Sequence, residues 1–122
     1  MGTELEEQKK LFEWKLAKLT EGHESLRLLM FVPNGSDFLN RFAVLFGDRY
    51  GIVSGFPDLF FPKPIGPYHG LFIELKRTGW AGRTTRKQRL VGNLLEQSGY
   101  RFRVCRGCGA AIREILDYEG LG

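Results

Sequence analysis

The chain has 122 residues, 43% of them hydrophobic, with ten phenylalanines and a formal net charge of +4. This is enough apolar material for one core, and a single domain over 1–122 is expected. No apolar run approaches the ~20 residues of a membrane helix, and Thr3-Glu4-Leu5-Glu6-Glu7 is charged where a signal peptide would be apolar. These features exclude a membrane protein and lead us to expect a cytoplasmic location.

In chain order, residues 4–20 read as a helix with Leu5, Phe12, Leu16 and Leu19 along one stripe. Leu28-Leu29-Met30-Phe31-Val32 reads as a buried strand, ended by Pro33-Asn34-Gly35. A second helix is expected over 37–48. Asp58-Leu59-Phe60-Phe61 is the next strand, followed by a turn-rich connection through Pro62, Pro64 and Pro67. Gly70 to Lys76 returns as a strand, predicting a hairpin with 58–61. A helix over 85–98 ends at Gly99. Tyr100 to Cys105 alternates apolar and basic, predicting a strand with one wet, positive face. A last helix covers about Ala110 to Tyr118. Pattern alone supports a mixed α/β fold.

The charges stand where apolar strands should carry few. Side chains alternate between the faces of a strand, so Glu74 and Lys76 share one face while Ile73 and Leu75 point the other way. If Asp58 begins the neighbouring strand, three ionisable groups converge. Two carboxylates at close range repel unless a cation lies between them, and a divalent metal resolves the conflict. From Lys76 to Arg113 there are ten basic residues, including Arg77, Arg83, Arg86 and Lys87, and only one acid, Glu96. Such asymmetry is a footprint of phosphate-backbone binding. Cys105 and Cys108 form a C-x-x-C spacing without two further zinc ligands nearby, and are read as ordinary reduced thiols.

The string Glu4-x-x-x-Gln8, Trp14, Pro33-Asn34-Gly35, Gly55-Phe56-Pro57-Asp58, Glu74-x-Lys76, Gln88 and Gly99-Tyr100 resembles the VRR-NUC (virus-type replication-repair nuclease) domain. That domain is part of the PD-(D/E)xK nuclease superfamily, and the resemblance runs from about Glu4 to Tyr118. It implies a restriction-endonuclease-like α/β core with an αβββαβ order. By the same resemblance, Asp58, Glu74 and the Leu75 carbonyl would hold Mg²⁺ or Mn²⁺. Lys76 would orient or deprotonate the attacking water and help stabilise the charge on the phosphorane, and Gln88 and Glu4 would complete the catalytic set. Stand-alone members are small, phage- or prophage-associated, and look like homodimers acting on branched DNA such as four-way junctions. The expected activity is therefore metal-dependent endonucleolytic cleavage of DNA, with Asn34, Arg77, Arg83, Arg86 and Lys87 on the nucleic acid.

Several of these residues have a second reading. Asp58 suits a turn after proline, and Glu74 could belong to a structural pair with Lys76 or an arginine. Thr85-Arg86-Lys87-Gln88 fits a capping box as well as a site-lining glutamine. Glu6 and Glu7 compete with Glu4. In the Gly79-Trp80-Ala81-Gly82-Arg83 loop, Trp80 suits either base stacking or core cover. At the level of the whole protein, the competing readings are a non-catalytic nucleic-acid-binding module on the nuclease fold, and an unrelated α/β domain whose charges are structural.

Overall fold

A computed structural model describes residues 3–32, 53–79 and 83–122. The Pro33-Asn34-Gly35 turn, the helix expected over 37–48 and Trp80 lie outside the described residues.

Helix α1 spans Glu4–Thr20 and begins in a capping box. The Thr3 hydroxyl accepts from the Glu6 amide while Glu6 accepts from the Thr3 amide, satisfying two of the first-turn donors. The expected apolar stripe holds in part, for Phe12 and Leu19 pack half-buried against the core. Leu5 and Leu16 are exposed, and the side chains α1 buries are Glu7 and Leu11. The inward face contains a carboxylate with a structural task, which hides that face from a search for apolar spacing.

A short 3-10 helix, Glu24–Leu28, leads into β1, which is only Met30–Phe31. The buried strand expected over 28–32 is thus also corrected: Leu26 and Leu29 are buried, whereas Leu28 and Met30 face outward. The Lys15 ammonium donates to the Arg27 and Leu29 carbonyls, closing this turn onto α1.

Strands β2 (Leu59–Phe61), β3 (Leu71–Lys76) and β4 (Arg101–Arg106) complete a sheet of order β1-β2-β3-β4. β1 and β2 are antiparallel, as are β2 and β3, which form the expected hairpin in the register Leu59↔Ile73 and Phe61↔Leu71. β3 and β4 are parallel and are joined by helix α2, Arg86–Gln97, the long crossover that parallel neighbours require. Helix α3, Cys108–Glu119, follows β4 and begins two residues before the expected start.

Alternation divides the sheet between two layers. Leu59, Phe61, Leu71, Ile73, Leu75 and Cys105 pack with Leu11 of α1 and Ala111, Ile115 and Tyr118 of α3. The opposite face carries Phe60 stacked on Phe72 at 4.2 Å and lies under α2. Gly92 lets that helix settle on the Phe102 ring, because a Cβ there would stand 2.4 Å from it. All six residues of β3 are buried, so any charge on its α2 face is forced to find a partner or a task.

Candidate active site

Glu74 and Lys76 occupy that face of β3, and both are buried. The chain enters β2 through Gly55-Phe56-Pro57-Asp58. Gly55 has φ +83° and lies so close to the first turn of α2 that a Cβ would meet the Lys87 carbonyl carbon at 2.7 Å. Only glycine fits this conformation and this approach. The result is that Asp58 reaches across to β3, where its Oδ2 accepts from the Leu75 amide at 2.9 Å. Asp58, Glu74 and Lys76 therefore converge, as the alternation argument expected.

Gln88 links the cluster to α2. Its Nε2 donates to Glu74 Oε1 at 2.8 Å, and its Oε1 accepts from Lys76 Nζ at 3.1 Å. The same Oε1 accepts from the Thr85 amide at 2.8 Å, and the Gln88 amide donates to Thr85 Oγ1 at 3.1 Å. The two readings of Gln88 are both present at once: it closes the capping box and it lines the site. Lys76 Nζ lies 3.8 Å from Glu74 Oε1. Glu74 Oε2 is buried and has no hydrogen-bond partner among the described residues.

Electrostatics set the cluster apart from an ordinary ion pair. Burial first, and then the neighbouring Asp58 charge, push the Glu74 carboxyl up to about 9, with Lys76 opposing. Burial also raises Asp58, against the stabilising Leu75 amide. Of the two carboxyls, Glu74 is the one that burial and its neighbour's charge hold toward the protonated form. One lysine is too little charge for two buried carboxylates, and the pair retains a proton in place of a second cation.

The three acids in the first turn of α1 separate into different tasks. Glu6 serves the α1 capping box. Glu7 is buried, and its Oε2 accepts from the Cys108 amide at 2.7 Å, capping α3, whose own N-cap is Gly107 with no side-chain bond. Glu4 is exposed but close enough for its charge to raise both Asp58 and Glu74. The sequence had left Glu7 as one of several equivalent acids. Its distinguishing signal is the spacing that puts it one turn before Leu11.

Among the described residues, no three His, Cys, Asp or Glu side chains are grouped to hold a metal. The available donor set is the Asp58–Glu74 pair, with the free Glu74 oxygen the most distinctive member.

On the expected nucleic-acid surface, Arg83, Arg86 and Lys87 are exposed at the start of α2, and Arg77 is half-buried after β3. The wet, positive face expected of β4 is corrected. Arg101 lies 2.9 Å and Arg103 3.4 Å from Glu114 of α3, and Arg103 also lies 3.5 Å from Glu96 of α2. These arginines clamp the edge strand between its two helices. Their basic character was legible, but their pairing partners on other elements were not.

Cys105 lies in β4, and Cys108 opens α3; both are free thiols. Burial and Glu114 push Cys105 up to about 12, and burial with Glu7 raises Cys108. A redox cysteine at a helix start needs the reverse shift. Here the Glu7 carboxylate occupies the position from which the helix dipole would have acted.

Comparison with known proteins agrees with this arrangement. No curated protein matches the chain. A solved structure described as a VRR_NUC domain protein superposes with a TM-score of 0.77 at 26% identity, covering 100% of this chain and 92% of that one. The profile of the VRR-NUC domain matches residues 3–109, a span that includes Asp58, Glu74, Lys76 and Gln88, and the chain belongs to the VRR-NUC family.

Proposed function

We propose that the protein is a divalent-metal-dependent DNA endonuclease, and that Asp58, Glu74, Lys76 and Gln88 form its active site. The observation that carries this reading is the buried, unpartnered Glu74 Oε2 beside a second carboxylate, where burial and then the Asp58 charge favour the protonated carboxyl. A structural ion pair would be neutralised by its own cation, and its oxygens would be bonded. This one is short of positive charge and has an open oxygen, which suits a hard divalent cation taking oxygen ligands. Asp58 and Glu74 would hold Mg²⁺ or Mn²⁺, with the Leu75 carbonyl as the backbone donor implied by family resemblance. When bound, the ion would supply charge neutralisation at the phosphate and a more acidic water.

The remaining work falls to the chain's own groups. The Leu75 amide holds Asp58 against β3, so its second oxygen can face the site. Gln88 holds Glu74 by one oxygen and leaves the other open. Lys76 is buried and tethered to Gln88. It would present its ammonium to the attacking water and to the charge that gathers on the phosphoryl oxygens. Water oxygen bonds to phosphorus and gives up a proton to solvent as the opposite ester bond breaks, and the departing oxygen takes a proton from solvent. Glu4 is the flanking acid, near enough to tune the pair.

The first turn of α2 supports DNA as the substrate. It contains Arg86, Lys87 and Arg89 with no acid, against the preference of a helix N-terminus for negative charge. Cations placed there concentrate positive potential beside Gln88 and the carboxylates, where a phosphate backbone would lie. Arg77 and Arg83 extend the proposed contact, and the family resemblance adds Asn34 to it. Action on four-way junctions as a homodimer follows from the stand-alone family members, since a two-fold substrate suits two sites.

The test incubates labelled linear duplex, single-stranded and four-way-junction DNA with the protein in Mg²⁺, Mn²⁺ or EDTA, beside a Glu74→Ala control. Metal-dependent cutting that the control lacks is the expected result, with the junction cut preferentially. Binding without cutting in either metal would replace this reading with a non-catalytic DNA-binding module.

A further inference from the structure

Gln88 stands at a fork where the orientation of its amide decides the state of the site. The two ends of a glutamine amide have nearly the same shape and opposite hydrogen-bonding character. In the observed sense, Oε1 faces Lys76 Nζ and the Thr85 amide, and Nε2 faces Glu74 Oε1. Turned over, the NH₂ would face an ammonium and an N–H, and oxygen would face oxygen. Lys76 and Glu74 are side chains able to shift when an ion or phosphate arrives. The Thr85 amide is backbone: it cannot change its charge, and it is held in place by its own helix.

We propose that Thr85 is a positioning residue of the active site. Its N–H fixes the sense of the Gln88 amide, and its hydroxyl fixes the N–H by accepting from the Gln88 backbone at 3.1 Å. Thr85 sits at φ −82° and ψ 167°, the extended geometry of an N-cap, and the hydroxyl bond is what maintains that geometry. The chain of contacts runs from Thr85 to the Gln88 amide and on to Glu74 Oε1, so that Oε2 is the oxygen left open. Thr85 itself touches neither ion nor DNA. It gives the capping box a second task, determining which oxygen of Glu74 is available.

The inference rests on the reading of Glu74 as a metal ligand, so the first readout requires neither metal nor DNA. Thr85→Val removes the hydroxyl at nearly constant shape. Thr85→Pro also removes the N–H, and its fixed φ is compatible with −82°. Thr85→Ser retains both groups. In the metal-free protein, hydrogen exchange of the Gln88 side-chain NH₂ should be slow in wild type and Thr85→Ser, faster in Thr85→Val and fastest in Thr85→Pro. Calorimetric Mn²⁺ affinity should fall in the same order, by about tenfold in the proline variant, as for loss of an outer-shell partner.

A merely structural cap gives a different pattern. Tm would fall in the valine and proline variants while Gln88 exchange and Mn²⁺ affinity stayed at wild-type values, and that result would overturn the proposal. Should the proline variant fail to fold, unchanged Gln88 exchange in Thr85→Val is sufficient to do so. Absence of Mn²⁺ binding in wild type would refute the metal reading separately, with the exchange data still deciding the role of Thr85.

Discussion

At the scale of single residues, Glu74 is the centre of the proposed chemistry, and its protonation gives a signed prediction. An ordinary glutamate titrates at 4.5, whereas the folded, metal-free protein holds this one to about 9. Between those values the native chain binds more protons than the unfolded chain, so stability falls as pH rises. The contribution is fully present below pH 4.5 and is lost on passing through about 9. Glu74→Gln copies the protonated form and leaves Asp58 as the counter-charge of Lys76. At pH 8 and without metal it should be more stable than wild type, by on the order of 2 kcal/mol after allowing for relaxation and hydration of the site. The two proteins should converge near pH 4. Urea midpoints at several pH values check this, and a variant less stable than wild type at pH 8 would show that Glu74 is a structural partner.

Among the elements, α1 shows how one run of acids is divided by geometry. Glu7 supplies the missing cap of α3 across a sequence separation of 101 residues, so Glu7→Ala should cost about 1–2 kcal/mol by orphaning a helix-start N–H and losing a favourable charge at the dipole. Glu4 is exposed, and Glu4→Ala should change stability by less than about 0.5 kcal/mol while altering divalent-ion affinity. Equal losses of stability in the two variants would contradict the division. Much of the fold was legible because these elements follow local rules. The α2 boundaries follow from Thr85 and Gly99, and the β2–β3 hairpin from two apolar runs around a proline-rich connection. The convergence of Asp58, Glu74 and Lys76 followed from the period of two. What local rules miss is a side chain serving a distant element. Glu7 disguised the inner face of α1, Glu114 converted the arginines of β4 from a wet surface into a clamp, and β1 shrank to two residues because 3-10 structure took Glu24–Leu28.

Over the whole molecule, the basic excess resolves into two populations with different tasks. Arg101 and Arg103 are committed to Glu114 and Glu96. Arg83, Arg86 and Lys87 are exposed, and no carboxylate pairs with them among the described residues. Replacing the second set with glutamine should weaken DNA binding about equally for all sequences and reduce the salt slope by about 2–3, near 0.9 per lost phosphate contact. An unchanged slope would move the DNA to another surface. No described helix is long and apolar enough to cross a membrane, which agrees with the expectation from hydropathy.

On the proposed reading, the buried pair waits for a cation that takes the place of its proton. Mn²⁺ should be titrated calorimetrically at pH 7 in two buffers of different ionisation enthalpy, with wild type and Glu74→Gln. Binding in wild type with release of about one proton per ion is expected, because a ligand carboxylate must be ionised, with loss of both the binding and the release in Glu74→Gln. No binding at millimolar Mn²⁺, or binding without proton release that the variant retains, would contradict it.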